Sequence, residues 1–229
     1  MRKLLQSALI AAGLMLAAPA FADIALGHVV PLTGGQVASG RELSEGAKAY
    51  IDKVNAEGGI VGHKIVYLLR DDENLPGQTL ARSAELLKQG HVVGFLPGVD
   101  PAHVKSLVAS GLLWQNQAVI LSVRNGVAGG PSLISPGEGS TREAGLIEIS
   151  PPLSYYAPLI EEFRATLAKY GPADATFSSA GLQGYMAAKV MVGAVRMLGT
   201  EATREEYHTV MLRMFPDLSN RLIQSGAPH

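Results

Sequence analysis

The sequence predicts an α/β domain built as three layers, a parallel sheet with helices on both faces. Three observations point to it. Between residues 24 and 122, short apolar runs alternate with amphipathic helical stretches. The run IVYLL at Ile65–Leu69 is too apolar for a strand with one wet face, so it reads as buried on both sides. Glycines or an Asp-Pro pair stand at the junctions, where one element must stop and the next begin.

In order, IALGHVVP at Ile24–Pro31 is the first strand, followed by the small-residue loop LTGGQVASG. Leu43, Ala47, Tyr50, Ile51 and Val54 then recur at the spacing of one helical face. Gly58 and Gly59 stand where that helix needs a left-handed cap, and Gly62 falls in the turn before the second strand. A phosphate loop lies between a strand and a following helix. Here the order is helix, glycines, strand, so the glycines read as punctuation. Asp71-Asp72 ends the strand. Leu80, Ala84 and Leu87 mark a second helix closed by Gly90, and His91–Leu96 is the third strand. Asp100-Pro101 is a strong helix start, with Asp as cap and Pro in the first position, opening a helix over Ala102–Leu112. Ala118–Ser122 is the fourth strand.

The pattern dissolves over 124–153, a Gly/Pro-rich stretch with a candidate strand at Leu146–Ile149. Residues 154–215 read as helical. Leu159, Ile160, Phe163 and Leu167 share one face. Leu182, Tyr185, Met186, Lys189, Val190, Gly193 and Met197 share another. Thr203-Arg204-Glu205-Glu206 is a capping box. Residues 216–229 form a tail. Residues 1–22 read as a secretory signal peptide: Arg2 and Lys3, an apolar stretch from Leu4 to Ala18, then Ala20-Phe21-Ala22 as the cleavage site. Residues 23–123 are then the first part of the α/β lobe.

Composition narrows the chemistry. The 229 residues include no cysteine, so disulfides, cysteine–metal sites and a lipid-modified cysteine are excluded. An exported, cysteine-free chain points to a bacterial periplasm. With the leader removed, the 19 basic residues fall by Arg2 and Lys3 against 20 acidic ones, and no dense basic run exists, so nucleic acid is not the expected partner. No G-x-S-x-G, Walker loop or H-E-x-x-H occurs, and none of the six histidines pair at helical i, i+4 spacing. Neither an enzyme nor a metal or cofactor site is expected. Asp71-Asp72 could suggest a cation site, but adjacent strand residues point to opposite faces, so strand-end polarity and helix capping is the simpler reading. Trp114 reads as cover for the sheet edge or a partner surface. Tyr155-Tyr156 reads as a core anchor. In an open parallel sheet, ligands bind at the carboxyl ends of the strands. That places candidate loops at Leu32–Gly40, Pro97–Asp100 and Ser122–Asn125.

The run PLTG, then EGAKAYIDKVNAEGGIVGHKI, then RDDENLPGQTLARSAELL resembles the leucine/isoleucine/valine-binding proteins, type I periplasmic substrate-binding proteins of ABC transporters. SAGLQGYMAAKVMVGAVRMLG resembles the family's late helices, and EAGLIEISPP its return crossing between lobes. The resemblance implies a Rossmann-like lobe, one of two that close on a ligand. Here 124–153 stands in place of most of the second lobe, so a single lobe is expected, with 154–215 packing back on it. It also implies ligand contacts from Ser39, from Gly98, Val99 and Asp100, and from Ser122, Val123, Arg124 and Asn125. Ser39 falls at the family's first-loop aromatic position. Asp100 would repel a carboxylate unless it caps the helix, and Arg124 could pair with one. The implied function is periplasmic binding of a branched-chain or related amino acid, or another small organic solute. An ABC permease would be the partner, or a second copy of the chain completing the site. The alternatives are an exported single-lobe interaction module or a degenerate binding protein without transport activity.

Overall fold

A computed structural model describes residues 24–89, 92–123, 146–149 and 156–211. The signal-peptide reading at 1–22, the tail, Gly90, His91, Arg124, Asn125 and Tyr155 lie outside the described residues. β1 (Ile24–Val30), β2 (Ile65–Asp71), β3 (Val92–Phe95), β4 (Ile120–Val123) and β5 (Leu146–Ile149) form one parallel sheet in the order β2-β1-β3-β4-β5. The pairing of β1 with β2 runs from Ile24 opposite Ile65 to Val30 opposite Asp71. The candidate strand at Leu146–Ile149 is real: Ile120 faces Leu146 and Val123 faces Ile149.

Period-two alternation divides the apolar side chains between two cores. Ile24, Leu26, Leu121 and Ile147 pack under α1 (Val37–Ala56), α5 (Tyr156–Tyr170) and α6 (Ser179–Leu198). Ala25, Val29, Ile120 and Leu146 pack under α2 (Pro76–Lys88), α3 (Pro101–Ala109) and the short α4 (Leu112–Gln115). The three layers expected from the sequence are therefore present. The expected α1 stripe is buried as read, and Leu159, Phe163 and Leu167 are buried on α5.

Four details differ. β2 is half-buried beyond Ile65, because among the described residues it is an edge strand with no neighbour on its outer side. α2 turns Thr79, Ser83, Leu86 and Leu87 inward and leaves Leu80 36% exposed, because the Thr79 hydroxyl donates to Asp72 Oδ2 at 2.8 Å and fixes the rotation. The expected helix to Leu112 breaks at Gly111, where φ is 73°, into α3 and α4. Met197 is exposed at the far end of α6.

The junction Gly58–Gly62 works as the sequence suggests. Gly58 and Gly59 have φ of 101° and 74°. Ile60 and His63 then exchange both backbone hydrogen bonds around a two-residue turn in which Val61 (φ 51°) and Gly62 (φ 87°) are both left-handed. Val61 is 88% exposed and carries a β-branched side chain in a conformation that favours Asn or Gly.

α6 lies against α1 with backbone touching backbone. A methyl group added at Gly46 would overlap the Gly181 carbonyl, and one at Gly184 would overlap the Leu43 carbonyl. At the base of the sheet, a last helical stretch (204–211) is opened by the expected capping box: Thr203 N donates to Glu206 Oε2 at 2.8 Å and Glu206 N to Thr203 Oγ1 at 3.2 Å. Its Arg204 donates to the carbonyls of Val92, Asn116 and Leu87, tying the end of the described chain to the start of β3 and the segment before β4.

Three predictions follow from this packing. Gly184→Ala should lose about 3 kcal/mol or more in urea unfolding, because overlap with a helix carbonyl cannot relax cheaply. Gly77→Ala, at a first-turn position of α2 with open space around it, should gain roughly 0.5–1 kcal/mol. Val61→Asn should gain about 1 kcal/mol by relieving the left-handed valine, read as a raised unfolding midpoint.

Candidate functional site

The strand order reverses between β1 and β3: from β1 the chain goes outward to β2, then crosses back to β3 on the other side. Loops leaving β1 and β3 must therefore part in opposite directions, opening a crevice at the carboxyl ends of these strands. The β1 loop runs from Pro31 to Gln36 and the β3 loop from Leu96 to Asp100.

Three buried or well-paired groups hold these loops. Asp71, the last residue of β2, accepts from the amides of Leu32 (2.8 Å), Thr33 (3.2 Å) and Glu73 (2.8 Å), and from the Thr33 hydroxyl (2.6 Å). Burial works against its charge, but the Thr33 hydroxyl and these amides outweigh it and hold the carboxyl at about 2. His28 is fully buried on β1. Its Nε2 lies 2.8 Å from the Pro97 carbonyl and its Nδ1 2.6 Å from the Tyr67 hydroxyl. A carbonyl can only accept, so Nε2 carries the proton and Nδ1 accepts from Tyr67. Burial pushes the imidazole down to about 4 from 6.5, with the Pro97 hydrogen bond opposing. The third tie crosses the crevice: Gln36 Nε2 donates to Asp100 Oδ2 at 3.2 Å, and is 3.3 Å from Asn74 Oδ1.

Asp71 and Asp72 diverge as adjacent strand residues should. Asp72, 2% exposed, takes the amide of Asn74 and the Thr79 hydroxyl, with His103 Nδ1 at 3.6 Å. The Thr79 hydroxyl donates to the carboxylate at 2.8 Å and lies 3.4 Å from His103, so these residues form a buried brace between β2, α2 and α3. They do not form a nucleophile–base relay, which would need the hydroxyl aimed at the imidazole.

The structure places the sequence-derived candidates as follows. Ser39 is half-buried in the first turn of α1. Gly98, Val99 and Asp100 form the β3 loop, and Asp100 caps α3 by accepting from Ala102 N at 2.7 Å. Ser122 and Val123 end β4, on the same edge of the sheet. Arg124 and Asn125 lie outside the described residues. Sequence reasoning missed Gln36 and the loop-holding roles of His28 and Asp71. The one available signal for Asp71 was its place at a strand end beside a loop with Thr33. Among the described residues, no group of three His, Cys, Asp or Glu is arranged to hold a metal, and no helix is long and apolar enough to cross a membrane. A concavity of about 600 Å³ lined by Leu198, Glu201, Ala202, Glu205, Glu206, Thr209 and Val210 lies at the other end of the sheet, beside the Arg204 tie, and shares no residue with the crevice.

A five-stranded parallel sheet in this order, with two held loops at its switch point, is a lobe of the type I periplasmic-binding-protein kind. Residues 23–122 match the family described as Periplasmic binding protein. The Leu/Ile/Val-binding protein homolog 3 of Brucella melitensis is 32% identical over 135 residues, covering 59% of this chain and 35% of that one. The Leu/Ile/Val-binding protein BraC3 of Rhizobium johnstonii is 37% identical over 116 residues, covering 51% and 31%. The chain thus spans about a third of the length of the curated relatives it matches. The crystal structure of a substrate-binding periplasmic protein from Ralstonia solanacearum superposes with a TM-score of 0.66 at 18% identity, covering 86% of this chain and 94% of that one. At that identity the likeness is one of fold, and its extent carries it beyond 122 into the late helices.

The His28 site generates a pH prediction. The unfolded imidazole takes a proton near 6.5 and the folded one only near 4, so protons favour the unfolded chain across that window. Stability should be flat above pH 6.5 and fall by roughly 3 kcal/mol as pH drops towards 4. Urea unfolding at several pH values should show this loss, and His28→Gln should flatten it between pH 6.5 and 4.5. An equal slope in the variant would assign the loss to other groups.

Proposed function

We propose that this protein is a periplasmic solute-binding component of an ABC transporter, receiving a branched-chain or related amino acid or another small organic solute. The observation that carries the reading is the crevice at the β1/β3 switch point, with the flanking loops pinned from behind by Asp71 and His28. Such pinning suits a site that must be formed before its ligand arrives, since ordering the loops on binding would cost affinity. The relatives named above support it, being Leu/Ile/Val-binding proteins by name, and so does the leader-like pattern of residues 1–22 for export.

In this reading Ser39, Gly98, Val99, Asp100, Ser122 and Val123 line the crevice, with Arg124 and Asn125 following β4. Residues 23–123, the 124–153 connection and the returning 154–215 helices act as one lobe. A single lobe presents an open face to its ligand, and tight small-molecule sites bury most of theirs. A second copy of the chain or a permease would supply the cover.

Thermal unfolding against the amino acids and small carboxylates tests the reading. A ligand that binds the folded state stabilises it by about 2.7 kcal/mol at a hundredfold excess over its dissociation constant. A raised midpoint with an aliphatic amino acid or related solute is expected, at millimolar concentrations for an open half-site. Cooperative melting unmoved by every compound would exclude the receptor and leave an exported interaction module.

A further inference from the structure

The crevice is built to refuse an anion at the loop where a helix N-terminus would ordinarily invite one. The first turn of α3 has no free amide to offer. Pro101 has no N–H. Ala102 N is taken by Asp100 Oδ1 at 2.7 Å, and the amides of His103 and Val104 are taken by the Asp100 carbonyl at 3.1 and 3.2 Å. The protein's own carboxylate thus fills the position that a ligand carboxylate would seek. The other Asp100 oxygen is differently placed. Oδ2 receives one neutral donor, Gln36 Nε2, at 3.2 Å, lies 4.0 Å from His103 Nε2, and belongs to a side chain that is 27% exposed. It retains acceptor capacity towards the crevice.

The rest of the rim agrees. Of the described loops, neither Pro31–Gln36 nor Leu96–Asp100 contains a lysine or arginine, while the exposed Glu73 follows the end of β2. His103 faces Asp72 at 3.6 Å on its Nδ1 side and is 7% exposed, so it braces the loop from below.

We infer that the β3 loop reads the cationic, hydrogen-bond-donating end of the solute, with Asp100 as the specificity-determining residue. The ligand class at this loop is an amine, an amino amide or the ammonium end of an amino acid, and a free monocarboxylate is refused. The inference rests on the solute-receptor reading above and narrows it.

The full chain and its Asp100→Asn variant would be compared by thermal shift and calorimetry with aliphatic amines, amino amides and carboxylates of two to six carbons, including leucinamide, leucine and 4-methylpentanoate. Asn remains a good helix cap, so the variant keeps α3 and loses only the charge. Its unfolding midpoint without ligand checks that. The expected result is that the wild-type protein binds leucinamide at least tenfold more tightly than 4-methylpentanoate, and that Asp100→Asn reduces this ratio at least tenfold. Tighter binding of the carboxylate by the wild-type protein, or an unchanged ratio in the variant, would overturn the inference and leave the receptor reading standing. No shift with any compound in either protein would overturn both.

Discussion

The rest of the structure depends on one close approach, the crossing of α1 and α6. These helices come from opposite ends of the described chain, yet their backbones touch where Gly46 meets the Gly181 carbonyl and Gly184 meets the Leu43 carbonyl, and no side chain fits at Gly46 or Gly184. Contact this close brings the flanking residues into one dense layer. Leu43, Ala47, Tyr50 and Ile51 of α1 and Leu182, Tyr185 and Met186 of α6 are all nearly inaccessible. That layer covers one whole face of the sheet. α6 packs on β4, so without its return Leu121 would lose its cover on this face. The late helices α5 and α6 therefore share one core with the early strands.

A charged cluster sits within this layer. Lys189, 5% exposed on α6, lies 2.5 Å from Glu162 Oε2 on α5. The Tyr185 hydroxyl donates to Glu162 Oε1 at 2.8 Å, and Lys53 of α1 approaches the same oxygen at 3.5 Å. Burial raises the Glu162 carboxyl, but hydrogen bonds from Lys189 and Tyr185 outweigh it and hold the group below its ordinary range. Desolvating such charges offsets much of their attraction, so an apolar replacement would be no less stable. What the cluster contributes is registration: one carboxylate joins three helices, and a slip of any of them would strand a buried charge. Glycines set how near the helices come, and Glu162 sets where along their length they meet.

Periodicity made the layers readable before any coordinates. The α1 stripe, the Asp100-Pro101 start and the Thr203 capping box each act within a few residues, so local chemistry specifies them. Features fixed by distant partners were not readable. α2 is rotated by Thr79 reaching Asp72, a pairing set by the tertiary position of the strand end. His28 sits in an apolar run, and its partners Tyr67 and Pro97 lie 39 and 69 residues away. Of the chain's 26 glycines, those at turns were readable from their neighbours, whereas Gly46, Gly181 and Gly184 matter only because another helix crosses them. The candidate site divides the same way. Its loops followed from strand order, but the bridge from Gln36 to Asp100 joins residues 64 apart.

That division bears on how the crevice works. Its loops are held from behind by groups that no solute touches: Asp71 behind the β1 loop, His28 behind Pro97, and Asp72 with Thr79 and His103 behind the β3 loop. They lie on strands β1 and β2, just past the end of β2, or in the first turns of α2 and α3. The residues left facing the crevice, Gln36 and Asp100, are joined only by a single hydrogen bond between exposed side chains, which is worth little and is readily exchanged for a bond to a ligand. Rigidity is thus placed where it fixes geometry, and the one weak tie is placed where a solute would compete for it. In the proposed receptor, an entering donor would replace Gln36 at Asp100 Oδ2 and leave the loop backbone where it was, so binding at this loop would call for a side-chain exchange and no refolding.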